Sequence, residues 1–229
     1  MLKRILYIYL FFLFPYIVFG QALDREYVIS ENKKASELNR EGKFLEANQT
    51  LDKLLKRLKE ESSEDRFFSS TYQTKSKIVQ SLGNYEESSK LARQSLAISL
   101  KTHDSLNIAD SYNTIGINHY FESDYDSTTY YYEKSLEIKS KIKTDPYALA
   151  VSTYNLALVY DDLGQSGKAM DLYKQAENYL LKSKQEKNFL SDVYVGMALI
   201  YFNTGGPIKC LRKDLTLSKS SKSLEKLKY

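Results

Sequence analysis

The side chains of this 229-residue chain that could do covalent, metal or proton chemistry are few: two histidines, one cysteine and several short carboxylate pairs. His103-Asp104 joins an imidazole to an acid that could polarise it, but the pair falls in a connection where Asp more often caps the next helix. His119 has no second ligand at a metal-binding spacing, and tyrosines hold its place in two other copies of the pattern described below. Asp161-Asp162, and Asp124 with Asp126, have the character to bind a divalent cation or share a proton. Neither pair runs on into a calcium-loop spacing, and both lie beside turns where exposed acids are common. Ser30-Glu31-Asn32-Lys33 has the spacing of a serine-lysine nucleophile without its companion motifs. Phosphate loops, dinucleotide fingerprints, nucleophile elbows and zinc-protease motifs do not occur in the chain. The residues therefore predict a protein that is not an enzyme and that takes no cofactor or metal.

What organises the chain is periodicity. A turn residue returns every 40 or 41 positions, at Gly42, Gly83, Ser123, Gly164 and Gly205. Seven places before it stands a small residue: Ala35, Ser76, Gly116, Ala157 and Ala198. Five places after it stands another: Ala47, Ser88, Thr128, Ala169 and Cys210, which makes the lone cysteine a small apolar residue of the interior. Larger residues fill the intervening columns. Leu38, Val79, His119, Tyr160 and Tyr201 precede the turn by four; Leu51, Ala92, Tyr132, Tyr173 and Asp214 follow it by nine. Steps of three and four, as in Thr153, Leu156, Ala157, Tyr160 and Leu163, put these residues on one helical face. Each unit is predicted to be a helical hairpin, and units repeating at this period stack into an array. Small residues let two helices approach and leave holes for a neighbour's tyrosine. Asp145-Pro146 reads as an N-cap and first helical position.

These columns resemble the tetratricopeptide repeat, most clearly in Tyr112-Asn-Thr-Ile-Gly116 with Asp124-Tyr125, and in Tyr154 to Tyr160 with Gly164 and Ala169. The units exceed that family's 34-residue minimum and look like the extended variety of bacterial regulatory and sensor proteins and of kinesin light chains. The resemblance implies an all-α, right-handed solenoid over residues 21–206, with about four full repeats and the first helix of a fifth, and a degenerate basic segment at 207–229. It also implies a concave groove lined by the first helix of each hairpin and used to bind a protein or peptide. Family positions transfer to Gln73, Lys77 and Gln80 in the second unit and to Asn113, Ile117, Tyr120 and Phe121 in the third. The fourth contributes Tyr154, Leu158, Asp161 and Asp162; the fifth contributes Val195, Leu199, Phe202 and Asn203. A carboxylate clamp is not expected, because Asn32, Ser36, Thr74, Asp110 and Thr114 occupy its positions. The alternative is a sensing input module, or a fragment, of a bacterial sensor kinase or transcriptional regulator.

The ends differ from the middle. Lys3 and Arg4, an apolar run from Ile5 to Phe19 and then Gly20 have the layout of a signal peptide at residues 1–20, so export to the periplasm or the extracellular space is expected. The alternative is an uncleaved anchor. At about 1.5 Å per residue the run would span roughly 22 Å of a roughly 30 Å hydrocarbon core, and Pro15 interrupts it. The formal charge is +4, but the leader contributes +2 and residues 209–229 contribute +5, which leaves 21–208 at −3. A slightly acidic solenoid has no basic stripe for nucleic acid. In the fifth unit, Pro207 stands two after the turn, where Phe44, Tyr85 and Tyr125 stand in the first three units, and Asp214 stands in the column of Tyr132 and Tyr173, so a frayed or truncated hairpin is expected there. Mass spectrometry of the exported protein is expected to find Gln21 at the N-terminus; an intact Met1 in the membrane fraction would establish an anchor.

Overall fold

The computed structural model describes residues 24–61, 63–142, 144–183 and 189–205. The expected leader, Cys210 and the basic segment at 207–229 lie outside these residues. The described residues form nine α-helices: α1 (Arg25–Arg40), α2 (Phe44–Glu60), α3 (Asp65–Ser81), α4 (Tyr85–Thr102), α5 (Ser105–Phe121), α6 (Tyr125–Lys141), α7 (Pro146–Asp162), α8 (Ser166–Lys182) and α9 (Leu190–Thr204). They pair as four antiparallel hairpins followed by a single helix, in an all-α solenoid. Among the described residues no helix is long and apolar enough to cross a membrane.

The periodic turn residue is required by backbone geometry. Gly42, Gly83, Ser123, Gly164 and Gly205 all have φ between 60° and 78°, the left-handed region that glycine enters freely. In the first four turns this residue closes the preceding helix with paired backbone bonds, for example Gly42 N–H to the Asn39 carbonyl at 3.0 Å and Lys43 N–H to the Leu38 carbonyl at 2.9 Å. Asn84 and Asp124, one residue beyond the turn, also accept from the backbone N–H of Glu87 and Ser127, so one residue ends one helix and caps the next. Asp104 and Asp145 cap α5 and α7 as their positions predict, and Pro146 opens α7. His103 is the left-handed residue that ends α4.

Packing follows the columns. Ala35, Ser76, Ala157, Ala47, Ser88, Thr128 and Ala169 have no exposed surface, and Leu51, Ala92, Tyr132 and Tyr173 are 0 to 3% exposed. The holes are made for the rings. A Cβ added to Gly116 would stand 2.6 Å from Tyr132 Cδ1 of the same hairpin, and one added to Gly196 would stand 2.5 Å from Tyr173 Cζ of the hairpin before. Two apolar clusters result, one around Leu51 and Leu58 in α1 to α3 and one around Tyr173 and Val193 in α6 to α9. Between them the interior mixes buried apolar residues such as Leu91, Ala109 and Ile115 with many buried hydroxyls and amides. Ser95 O–H donates to the Ser69 carbonyl (2.9 Å), Ser111 O–H to Gln73 Oε1 (3.0 Å), Gln73 N–H to Thr114 Oγ1 (2.9 Å) and Asn118 N–H to Ser88 Oγ (3.0 Å). Ser69 and Ser99 also pair. Buried hydroxyls and amides are tolerated when partnered in this way.

Each layer touches only its neighbours, so stability is expected to reside in the knobs. Tyr132→Ala or Tyr173→Ala should lower stability to urea by about 3–5 kcal/mol, against about 0.5 kcal/mol or less for an exposed lysine. Equal losses in both classes would refute this packing. Ser123 is the one turn residue of the five that carries a side chain in the left-handed region, so Ser123→Gly is expected to stabilise by roughly 0.5–1 kcal/mol, read as a rise in Tm.

Candidate functional site

Consecutive first helices touch across layers, α1 with α3, α3 with α5, α5 with α7 and α7 with α9, and no comparable contact joins consecutive second helices. The stack therefore curves with α1, α3, α5, α7 and α9 on its inner side, the side carrying the residues expected to line a groove. Hydrogen bonds join these helices at intervals of about one repeat. Asn32 N–H donates to Thr71 (3.3 Å), Asn39 N–H to Ser81 (3.2 Å), Gln80 N–H to Asn118 Oδ1 (2.6 Å), Asn155 N–H to Asn113 Oδ1 (3.3 Å) and Tyr120 O–H to Asp162 Oδ2 (2.6 Å).

This places the expected groove residues in two groups. Gln73 and Asn113 are 3% and 9% exposed, and Gln80 is half-buried; their amides bond the neighbouring layer. They hold layers together where an open groove surface was expected. The inner helices run so close that an amide between them must pair there or stay unsatisfied. Lys77 is exposed and bonds Asp110 at 3.2 Å. The remaining residues gather toward α9. Phe121 is 55% exposed although it stacks on Tyr85 at 4.7 Å. Tyr154 is half-buried, 4.8 Å edge-on to Phe189. Asp161 is half-buried, Asp162 and Asn203 are exposed, and Phe202 is 75% exposed, continuing a stripe with Val195 and Leu199.

Electrostatics separate the two groups further. Burial would raise the Asp110 carboxyl, but Lys77 and Lys139 outweigh it and hold it below the usual range. Lys139 is 4% exposed, 3.1 Å from Asp110 and 3.2 Å from Ser152 Oγ. Its place sixteen after the turn is held by Leu58, Ser99 and Leu180 in the other hairpins; a lysine in that column was the signal for this buried pair. Asp161 has the opposite character. Burial first, and then its neighbour Asp162, push its carboxyl above the ordinary range. Burial, and then the bond to Asp162, keep the Tyr120 hydroxyl protonated far beyond an ordinary phenol. His119 stacks on Tyr131 at 5.5 Å, with Nδ1 3.4 Å from both Glu122 and Asp124. It edges an open cleft of about 630 Å³, shared with Lys90 and Arg93 of α4. Among the described residues no three His, Cys, Asp or Glu side chains converge as a metal site would require.

The model of the tetratricopeptide repeat matches residues 67–141 and 107–182, half of the sequence, over the hairpins whose turns and columns are described above. The chain belongs to the tetratricopeptide repeat family. No curated protein matches it. Among solved structures, this tetratricopeptide solenoid is similar to BtubC (BKLC) from P. vanneervenii, at 15% identity and a TM-score of 0.68, with 85% of this chain and 79% of that one covered. It is also similar to a putative kinesin light chain with nearly identical TPR-like repeats from Podosopora anserina, at 16% identity, TM-score 0.65, 85% and 97% covered. A third is a signal transduction ATPase with numerous domains and a tetratricopeptide repeat sensor from Pyrococcus horikoshii, at 19% identity, TM-score 0.69 and 89% of this chain covered. This chain spans 32% of that protein. At these identities the likeness is one of fold.

Asp110→Asn is expected to destabilise by about 1–3 kcal/mol at pH 7, since Lys139 is left buried without its counter-charge. The folded-state value of Asp110 is depressed, so its contribution is present above the unfolded value of about 3.9 and is lost as pH falls through the folded value. The stability gap between wild type and variant should therefore close below about pH 4, checked by urea unfolding across pH.

Proposed function

We propose that the chain is a non-catalytic scaffold that binds a protein or peptide along its inner face, toward the α7 and α9 end. The observation that carries this reading is the exposed apolar stripe of Val195, Leu199 and Phe202 along α9, with Phe121 also exposed on α5 of the same inner row. Single exposed apolar residues are ordinary, whereas a contiguous row on a concave face has the character of a contact surface. The amides of α3 and α5 are bonded between layers, so aromatic and aliphatic packing supplies the affinity and the backbone of the partner finds fewer free donors than a groove lined with amides would give. The leader-like first twenty residues support export, and the net charge of −3 over 21–208 is unsuited to nucleic acid.

A second reading, a sensing input module of a larger signalling protein, is favoured by one observation: the Pyrococcus protein with the same fold is described as carrying its repeats as a sensor. Both readings use the same surface. Replacing Phe121, Leu199 and Phe202 together by Ser is expected to abolish partner capture while leaving the helical circular dichroism unchanged, because all three are at least half exposed. Capture that survives the triple change would put the binding surface elsewhere.

A further inference from the structure

Among the described residues nothing offsets the electrostatic cost at the inner end of α7. Asp161 and Asp162 are the last two residues of the helix, where unpaired carbonyls already give the helix terminus partial negative charge and acids are disfavoured. Five of the other helices, α1, α2, α4, α6 and α8, carry Lys or Arg in that last turn and α5 carries His119; α3, α7 and α9 carry no basic residue there, and of these three only α7 ends in two acids. Among the described residues neither carboxylate is within ion-pair distance of a cation; the Asp162 carboxylate accepts from Tyr120, and the Asp161 carboxylate has no hydrogen bond, although its backbone carbonyl accepts from Gly164 N–H at 2.8 Å. A second feature points the same way. The Tyr173 side chain has no exposure, its hydroxyl has no hydrogen-bond partner, and it feels the charge of both acids. Leu199 and Phe202, 52% and 75% exposed, lie on α9, the inner helix that packs next to α7.

We infer that this end of the inner groove binds a cationic segment of a partner protein, with a Lys or Arg side chain meeting Asp161 and Asp162 and a neighbouring apolar side chain lying on Leu199 and Phe202. The inference rests on the inner-face reading above and names the partner's chemistry. Charge complementarity carries it: two carboxylates and a helix C-terminus, partly desolvated and without a cation beside them among the described residues, gain charge-assisted hydrogen bonds from a guanidinium or ammonium group. The exposed ring of Phe202 and the face of Tyr120 add cation–π attraction. An acidic segment would meet the same groups as repulsion, so the site discriminates by sign.

The test is fluorescence polarisation of the full chain with three short labelled peptides, identical except that the charged positions alternating with Leu are Arg, Glu or Ser. The Arg peptide is expected to bind about tenfold more tightly than either of the others and to lose about tenfold in Asp161→Asn/Asp162→Asn. Its binding should also weaken with salt. A control pair of acids in the first hairpin, Glu26→Gln/Glu46→Gln, should leave binding unchanged; if it weakens binding equally, the attraction is diffuse and the proposal falls. Equal binding of all three peptides, or no binding of the Arg peptide, also overturns it. If binding is lost in Leu199→Ser/Phe202→Ser but not in the Asp double variant, the inner-face reading stands and the cationic partner falls. Binding that survives both double variants overturns both. Circular dichroism of each variant separates loss of binding from loss of fold. Asp161→Asn should unfold no earlier than wild type at pH 7, because the raised folded-state value means that the charged form destabilises as pH rises through it.

Discussion

Close approach between thin helical layers is the constraint on which the rest of this molecule depends. A tyrosine ring fits between two helices only where the opposing position has almost no side chain, and the Tyr132 with Gly116 and Tyr173 with Gly196 contacts leave no room even for a methyl group. From that follow the small columns, the left-handed turn residues that bring each second helix back onto the first, and the caps at Asn84 and Asp124 that begin the next helix immediately after two of those turns. A layer of this kind has little thickness, so its stability is that of its two interfaces.

The same closeness governs what the inner face can offer a partner. Where first helices approach, a polar side chain in the inner row is captured by the neighbouring layer, as Gln73, Gln80 and Asn113 are. The middle of the stack, where Ser69, Ser95, Ser111 and Asn118 stand among buried apolar residues, belongs to this arrangement: it separates two apolar clusters and fixes register through paired donors and acceptors. Free contact surface is left toward α9, where the inner rows turn aromatic and acidic.

Charge is handled in opposite ways at two points of one inner surface. Asp110 is surrounded by Lys77 and Lys139 and acts within the structure, whereas Asp161 is desolvated beside a like charge and a helix C-terminus. The first arrangement stabilises the fold near neutral pH; the second costs stability there, with no cation beside it among the described residues.

The sequence by itself determined the helical hairpins, their number from Asp24 to Gly205, the turn positions, the buried tyrosines, and the caps at Asp104 and Asp145. All of these depend on local backbone geometry and on a period that repeats in register, so one copy checks the next. It did not determine which inner-row residues face a partner. Whether Asn113 meets solvent or Asn155 depends on the distance between layers, a sum of packing choices in two hairpins that no single column states. The Lys139 and Asp110 pair was legible only as a lysine in a column otherwise filled by Leu58, Ser99 and Leu180, and its counter-ion lies on another helix of the hairpin. Tertiary structure decided these points because burial, and with it the need of each polar group for a partner, is set when helices distant in sequence come within hydrogen-bond reach.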